Sequence, residues 1–281
     1  MALHPDNTPR ANDPAGVVPS AGTPPGDAGR YGVMDKPTWT FAQTVRGVVA
    51  TLAPWLVFII GSQILAAQSA GATLRRLSLP EDIAGAVFSF IVTGVVELAF
   101  VIAPAYYTMV KREPGITIRQ GLAALGLRRT RLRPAIILIV AGFLVVIGIN
   151  VFYSFLITTF NLPLHTNSDA LLQQAKYAPI TTLGLIAGAV LVAPFCEEVF
   201  FRGFLFGGLL ERMSFWPAAL LSAFLFGLAH GDVGSFAVLF VFGLALAFVR
   251  WRTGSTWPGI VLHAANNATA AVAIILALTG R

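Results

Sequence analysis

Residues able to do chemistry are rare in this chain, and most lie in its last third. Glu197, Glu198 and Arg202 stand within LVAPFCEEVFFRGFLFGGLL, an otherwise apolar run. In lipid, a charge at mid-depth costs about 3 kcal/mol and marks a candidate functional site. Glu198 and Arg202 are spaced i,i+4 with the acid first, so a helix pairs them. Glu197 is turned about 100° away and is left free to act as a base. His230 ends FLFGLAH, with Phe226 four residues before it, and His263 opens HAANN, with Asn267 four residues after it. Residues i and i+4 share a helix face. An acid, two imidazoles and a carboxamide from three separate segments form a set suited to hydrolysis. The carboxylate takes a proton from water, a histidine shares that proton or holds a metal, and a His–Asn face donates hydrogen bonds to an oxyanion. No serine or cysteine is suitably placed with a base, so an activated water is the expected nucleophile.

Each of these residues also has a plainer explanation. A lone buried histidine is commonly a satisfied core residue. Asn266 and Asn267 can serve as interhelical hydrogen-bond glue, and Glu198 with Arg202 reads as structural even within a catalytic site. Cys196 is expected to be an apolar filler, because thiolate formation beside carboxylates is disfavoured. Asp232 is expected at a loop or helix cap. Glu97 stands alone in its own apolar stretch and is a lesser candidate for the same site.

The elements that must position these residues are transmembrane helices. The 281 residues are 56% hydrophobic and 11% charged, with mean hydropathy +0.75, where soluble domains carry about 25% charged residues. The expected fold is an all-α polytopic bundle of about seven or eight spans. Seven can be drawn, at about 47–68, 83–110, 134–160, 179–210, 215–230, 233–249 and 256–279. Pro194 should kink or break the fourth helix just before the glutamates. Residues 1–37, rich in Pro, Gly, Ala and Asp, read as a disordered tail. Residues 38–177 hold the N-terminal membrane helices, and 178–281 form the candidate catalytic core.

The net charge of +6 gathers in membrane-flanking loops, so it reads as a topology signal and not as nucleic-acid binding. Lys111 to Arg133 holds seven bases and one acid, Glu113. By the positive-inside rule this loop and the N-terminus are cytoplasmic. Its GITIRQGLAALGLRR portion has the composition of an amphipathic helix on the membrane surface. The loop GATLRRLSLPED, with Arg75 and Arg76 balanced by Glu81 and Asp82, falls outside. The single cysteine excludes an internal disulfide, and no internal repeat is present.

The motifs EEVFFR, FGLAH and HAANN resemble, in this order, the EExxxR, FxxxH and HxxxN motifs of the CAAX prenyl protease and bacteriocin-processing family. These are Ras-converting-type intramembrane endopeptidases, also called the abortive-infection family. The resemblance covers about Ala178 to Ala273. It implies Glu197 as catalytic base, with Glu198, Arg202 and Phe226 as fixed neighbours. It implies His230 as a second water-activating or metal-contacting residue, and His263 with Asn267 as the oxyanion pair. A divalent metal such as zinc, on Glu197, His230 and His263, is left open, since the family is classed with metalloproteases and the chain lacks HExxH. The implied partners are the lipid bilayer and a peptide or protein substrate, lipidated in some relatives, in a bacterial-type plasma membrane. Alternatives are a non-catalytic immunity or scaffold protein of the same fold, and a proton-coupled transporter using Glu97, Glu197 and the histidines. Straight helices raise one conflict. Glu197 and His230 lie ~22 and ~24 Å from their presumed surface residues, but His263 lies only ~10 Å from Thr256.

Overall fold

The computed structural model describes residues 31–68 and 83–279. Their regular structure is helical, with no strand among them. The first helix, α1 (Phe41–Gln68), begins at a reciprocal cap. Gln43 N donates to Thr40 Oγ1 (3.2 Å) and Thr40 N donates to Gln43 Oε1 (2.8 Å). This capping box starts the helix six residues before the apolar run suggests. Next come α2 (Ile83–Glu97) and α3 (Ala99–Ala105), the latter running into a π-helical turn, Tyr106–Val110. Helices α4 (Ile118–Ala124), α5 (Leu132–Thr159) and α6 (Asn167–Tyr177) follow. The next long rod is interrupted: α7 (Pro179–Leu191), α8 (Ala193–Glu198), a π-helical stretch Val199–Leu205, then α9 (Phe206–Leu209). The chain closes with α10 (Phe215–Ala229), α11 (Val233–Thr253) and α12 (Trp257–Thr279).

Among the described residues, six helical stretches are long and apolar enough to cross a membrane, and α10 is a shorter apolar helix. The chain is therefore a polytopic helical membrane protein. Large apolar side chains such as Ile137, Leu144, Phe152 and Phe155 on α5 face outward. A water-exposed apolar surface of this kind is unfavourable, and lipid is the solvent that suits it. The interior is built on phenylalanine. Phe100, Phe200, Phe201, Phe204, Phe226 and Phe242 are all buried, and Phe201 meets Phe226 edge-to-face at 5.3 Å.

Two glycines set the most consequential packing. On α7, Gly184 and Gly188 are four residues apart, the small-xxx-small spacing that lets membrane helices approach closely. A Cβ at Gly184 would lie 2.0 Å from the carbonyl oxygen of Ala86, and one at Gly188 would lie 2.7 Å from Thr93 Cγ2. Further along, Gly94 faces Val192. Numbers rise together on both helices, so α2 and α7 run parallel. Glu97 lies eleven residues past Ala86, and Glu197 thirteen past Gly184, rises of ~16 and ~20 Å along the two axes. The crossing therefore carries both carboxyls to one level.

One expectation changes here, and another gains detail. The basic loop folds back against the protein. Its helix α4 is short, capped by Thr117 and Gln120, and packs inward through Gly121, Ala124 and Leu125, with Gly121 against Thr108. The tail boundary also moves. Residues 1–30 lie outside the described residues, but Tyr31 and Met34 are buried in the core. Asp35 pairs with Arg128 at 2.7 Å, and the same guanidinium donates to Val33 O. The loop 69–82, with its two arginines and two acids, also lies outside the described residues.

Candidate functional site

Glu197 and Glu198 close α8. The helix is set off from α7 by a break at Val192, and Pro194 occupies its first turn, as a proline without an N–H favours. From Val199 to Leu205 the helix widens to i→i+5 bonding, a form that recurs at functional sites. Every residue of this stretch is buried. Arg202 is fully buried within it, and Nη1 donates to Glu198 Oε1 at 2.8 Å. Its Nη2 donates to Gly243 O (3.3 Å), and its guanidinium lies 4.1 Å from the centre of the Phe226 ring. One carboxylate, one carbonyl and one ring face thus hold the cation in place.

His263 joins this pair. Its Nδ1 donates to Glu198 Oε1 at 3.1 Å, and its Nε2 lies 4.0 Å from Glu197 Oε2. Phe226 and Phe242 meet the ring edge-to-face at 5.7 and 5.2 Å. Arg202, Glu198, His263 and Glu197 therefore follow one another as a buried line of alternating cationic, anionic and imidazole groups. The helix carrying His263 starts inside the protein. Ser255 and Thr256 are buried, Thr256 N donates to Gly126 O (2.9 Å), and the Ser255 hydroxyl lies 2.8 Å from Arg128 O. Thr256 is buried beneath the basic loop, so its distance from His263 is not a depth measured from an exposed residue.

Glu197 also faces a cavity of about 160 Å³, lined by Trp55, Ile59, Glu97, Phe100, Glu197, Phe201, Ala229 and His230. Glu197 Oε2 and Glu97 Oε2 are buried, and neither has a hydrogen-bond partner among the described residues. His230, half-buried, donates from Nδ1 to Phe226 O (2.9 Å), which leaves Nε2 as the ring's remaining nitrogen. Trp55 Nε1 donates to Ala229 O at 2.8 Å, fixing the wall beside His230. A larger apolar cleft of about 570 Å³, lined by residues including Gly47, Pro54, Phe58, Ile102 and Tyr106, shares Trp55 as a wall.

Of the expected site, Glu197 and His230 line this cavity and His263 abuts Glu197. Asn267 differs from expectation. It is not among the lining residues, and its Nδ2 donates to Ala189 O at 2.8 Å, fixing α12 against α7. Glu97, the lesser candidate, stands on the wall. Its place depends on the Gly184 and Gly188 crossing, which no spacing within α2 reveals. Asp232 caps α11 through Gly234 N and Ser235 N, and Cys196 is a buried free thiol. No three His, Cys, Asp or Glu side chains among the described residues are grouped to hold a metal ion.

Residues 179–269 match a family model described as type II CAAX prenyl endopeptidase Rce1-like. The resemblance carried by the three motifs therefore holds over that segment, which contains Glu197, Glu198, Arg202, His230, His263 and Asn267. The Bacillus subtilis (strain 168) protein named "Putative membrane peptidase YdiL" is 32% identical over 101 residues. That alignment covers 36% of this chain and 40% of the relative, so less than half of the relative's length is matched. No solved structure matches. Glu97 lies outside the segment that the family model covers.

Proposed function

We propose that the chain is an intramembrane endopeptidase that hydrolyses a peptide bond with a water activated by Glu197. The observation that carries this reading is the Glu197 carboxylate. Its residue lines a cavity roomy enough for water with His230 on the same wall, and its Oε2 is buried without a hydrogen-bond partner among the described residues, 4.0 Å from His263 Nε2. Water in the cavity gives a proton to Glu197, and the hydroxide so formed adds to the peptide carbonyl. The C–N bond then breaks, and the proton held by Glu197 passes to the departing nitrogen, with His230 beside it as carrier. In its imidazolium form His263 donates from both ring nitrogens, Nδ1 to Glu198 and Nε2 toward the oxyanion. Asn267 serves that ring by fixing its helix.

The family match over 179–269 supports a peptidase and leaves the choice of nucleophile to the geometry. The substrate in this reading is a membrane-associated peptide or protein. The apolar cleft beside Trp55 suits one that carries a lipid or an apolar segment. The protein sits in a bacterial-type plasma membrane with a cytoplasmic N-terminus, as the bases of Lys111 to Arg133 imply. The test is a comparison of the peptides released in membranes containing the wild-type chain or the Glu197→Gln variant. Peptides that appear only with the wild type support the reading. Identical peptide sets contradict it and favour a non-catalytic or proton-relay role.

A further inference from the structure

Glu97 is the one acid on an otherwise apolar helix, and the steps above leave it without a task. It is 9% exposed, and its Oε2 has no hydrogen-bond partner among the described residues. It is therefore not half of a structural ion pair. Arg202, the buried cation of this region, turns to Glu198 and Gly243. The same cavity wall carries Glu197, whose Oε2 is also unpartnered, and His230, whose Nδ1 is committed to Phe226. The indole N–H of Trp55 is taken up by Ala229 O. The wall thus carries two carboxyl groups, and no lining side chain donates to the Oε2 of either. Two carboxyls and an imidazole on the wall of a cavity larger than the ~30 Å³ a water occupies in the liquid give an ordered water its polar partners.

The backbone keeps the two acids in register. The close parallel crossing at Gly184 and Gly188 fixes α2 against α7. Both helices break beyond it, at Leu98 directly after Glu97 and at Val192 five residues before Glu197.

We propose that Glu97 is a positioning residue for the attacking water. One O–H of that water points to Glu197, which takes the proton, and the other is held by Glu97. With both hydrogens fixed, the oxygen presents its lone pairs to the substrate carbonyl. No bond to Glu97 forms or breaks. The inference rests on the hydrolytic reading of the Glu197 site.

The experiment uses the full-length chain in lipid nanodiscs with a peptide that the wild type cleaves. Glu97→Leu, which fits the apolar helix but accepts no hydrogen bond, should lower kcat by ~10- to 100-fold with KM and melting temperature unchanged, as misplacement of a reactant does. Glu97→Gln, which keeps an acceptor oxygen, should recover most of that loss, whereas Glu197→Gln should not turn over. A high-resolution structure of the wild type should show a water within hydrogen-bond reach of both acids, and that of Glu97→Leu should lack it. Wild-type kcat in Glu97→Leu, or no such water in the wild type, overturns the proposal. A wild type that cleaves no peptide defeats the hydrolytic reading instead, and the water density still decides whether Glu97 and Glu197 hold a shared water.

Discussion

The His263 imidazole donates from Nδ1 to Glu198 Oε1 at 3.1 Å, to the same oxygen that receives Arg202 Nη1 at 2.8 Å. Glu198 thus does more than neutralise the arginine one turn away. It fixes the ring that stands beside Glu197. Removing one partner from a buried ion pair costs ~3–5 kcal/mol. Glu198→Gln should therefore lower the detergent melting temperature and also reduce activity, and Arg202→Ala should resemble it. Thermal melts and peptide cleavage on the purified variants check this. A Glu198→Gln protein as stable as wild type yet inactive would mean that the two glutamates have exchanged roles.

The α2–α7 crossing has its own signature. A Cβ at Gly184 would sit 2.0 Å from a backbone oxygen, while one at Gly148 on α5 meets nothing within 4 Å. Gly184→Ala should cut folded yield and melting temperature, because a carbonyl cannot swing aside as a side chain can. Gly148→Ala should be neutral or slightly stabilising, as alanine is in helices. Equal melting temperatures for the two variants would show that the helices do not touch in this way.

Much of the site was legible along one helix, and little of it between helices. The Glu198–Arg202 pair, the break at Val192 just ahead of Pro194 and the Asp232 cap follow from local spacing, and local spacing is what a sequence states directly. Six of the seven apolar runs form helices long enough to cross, since lipid demands about 20 apolar residues per crossing, whereas the run at 215–230 forms the shorter α10. The start of α1 was missed although Thr40 and Gln43 spell its cap. Glu97 and the Glu198–His263 bond join segments 100 and 65 positions apart. The place of Glu97 depends on which helix faces show glycine, and two glycines among 27 do not announce themselves. The apparent shallowness of His263 arose from treating Thr256 as a surface marker, when the folded basic loop covers it.

Topology is open to labelling. Single cysteines between Lys111 and Arg133, in a Cys196→Ala background, should resist impermeant maleimides in intact cells and react after lysis. Arg112 is an exposed position for one such probe. Labelling from outside intact cells would invert the orientation proposed for every span.

Metal dependence is a separate matter. In the proposed steps Glu197 and His230 carry the proton without a metal. Turnover should therefore be unchanged by EDTA or phenanthroline, measured after dialysis against the chelator. Loss of activity that zinc restores would show that Glu197, His230 and His263 act as ligands and that the base has been misassigned.

The most direct measurement is the single-turnover cleavage rate of Glu197→Gln against wild type, taken with the melting temperature of both. The amide keeps the shape of the carboxyl but cannot take the proton from water. The rate should fall by at least the ~100- to 10,000-fold that general-base catalysis supplies, with the melting temperature unchanged. A Glu197→Gln protein that cleaves at a near-normal rate would contradict the account, and the base would have to be sought in another residue.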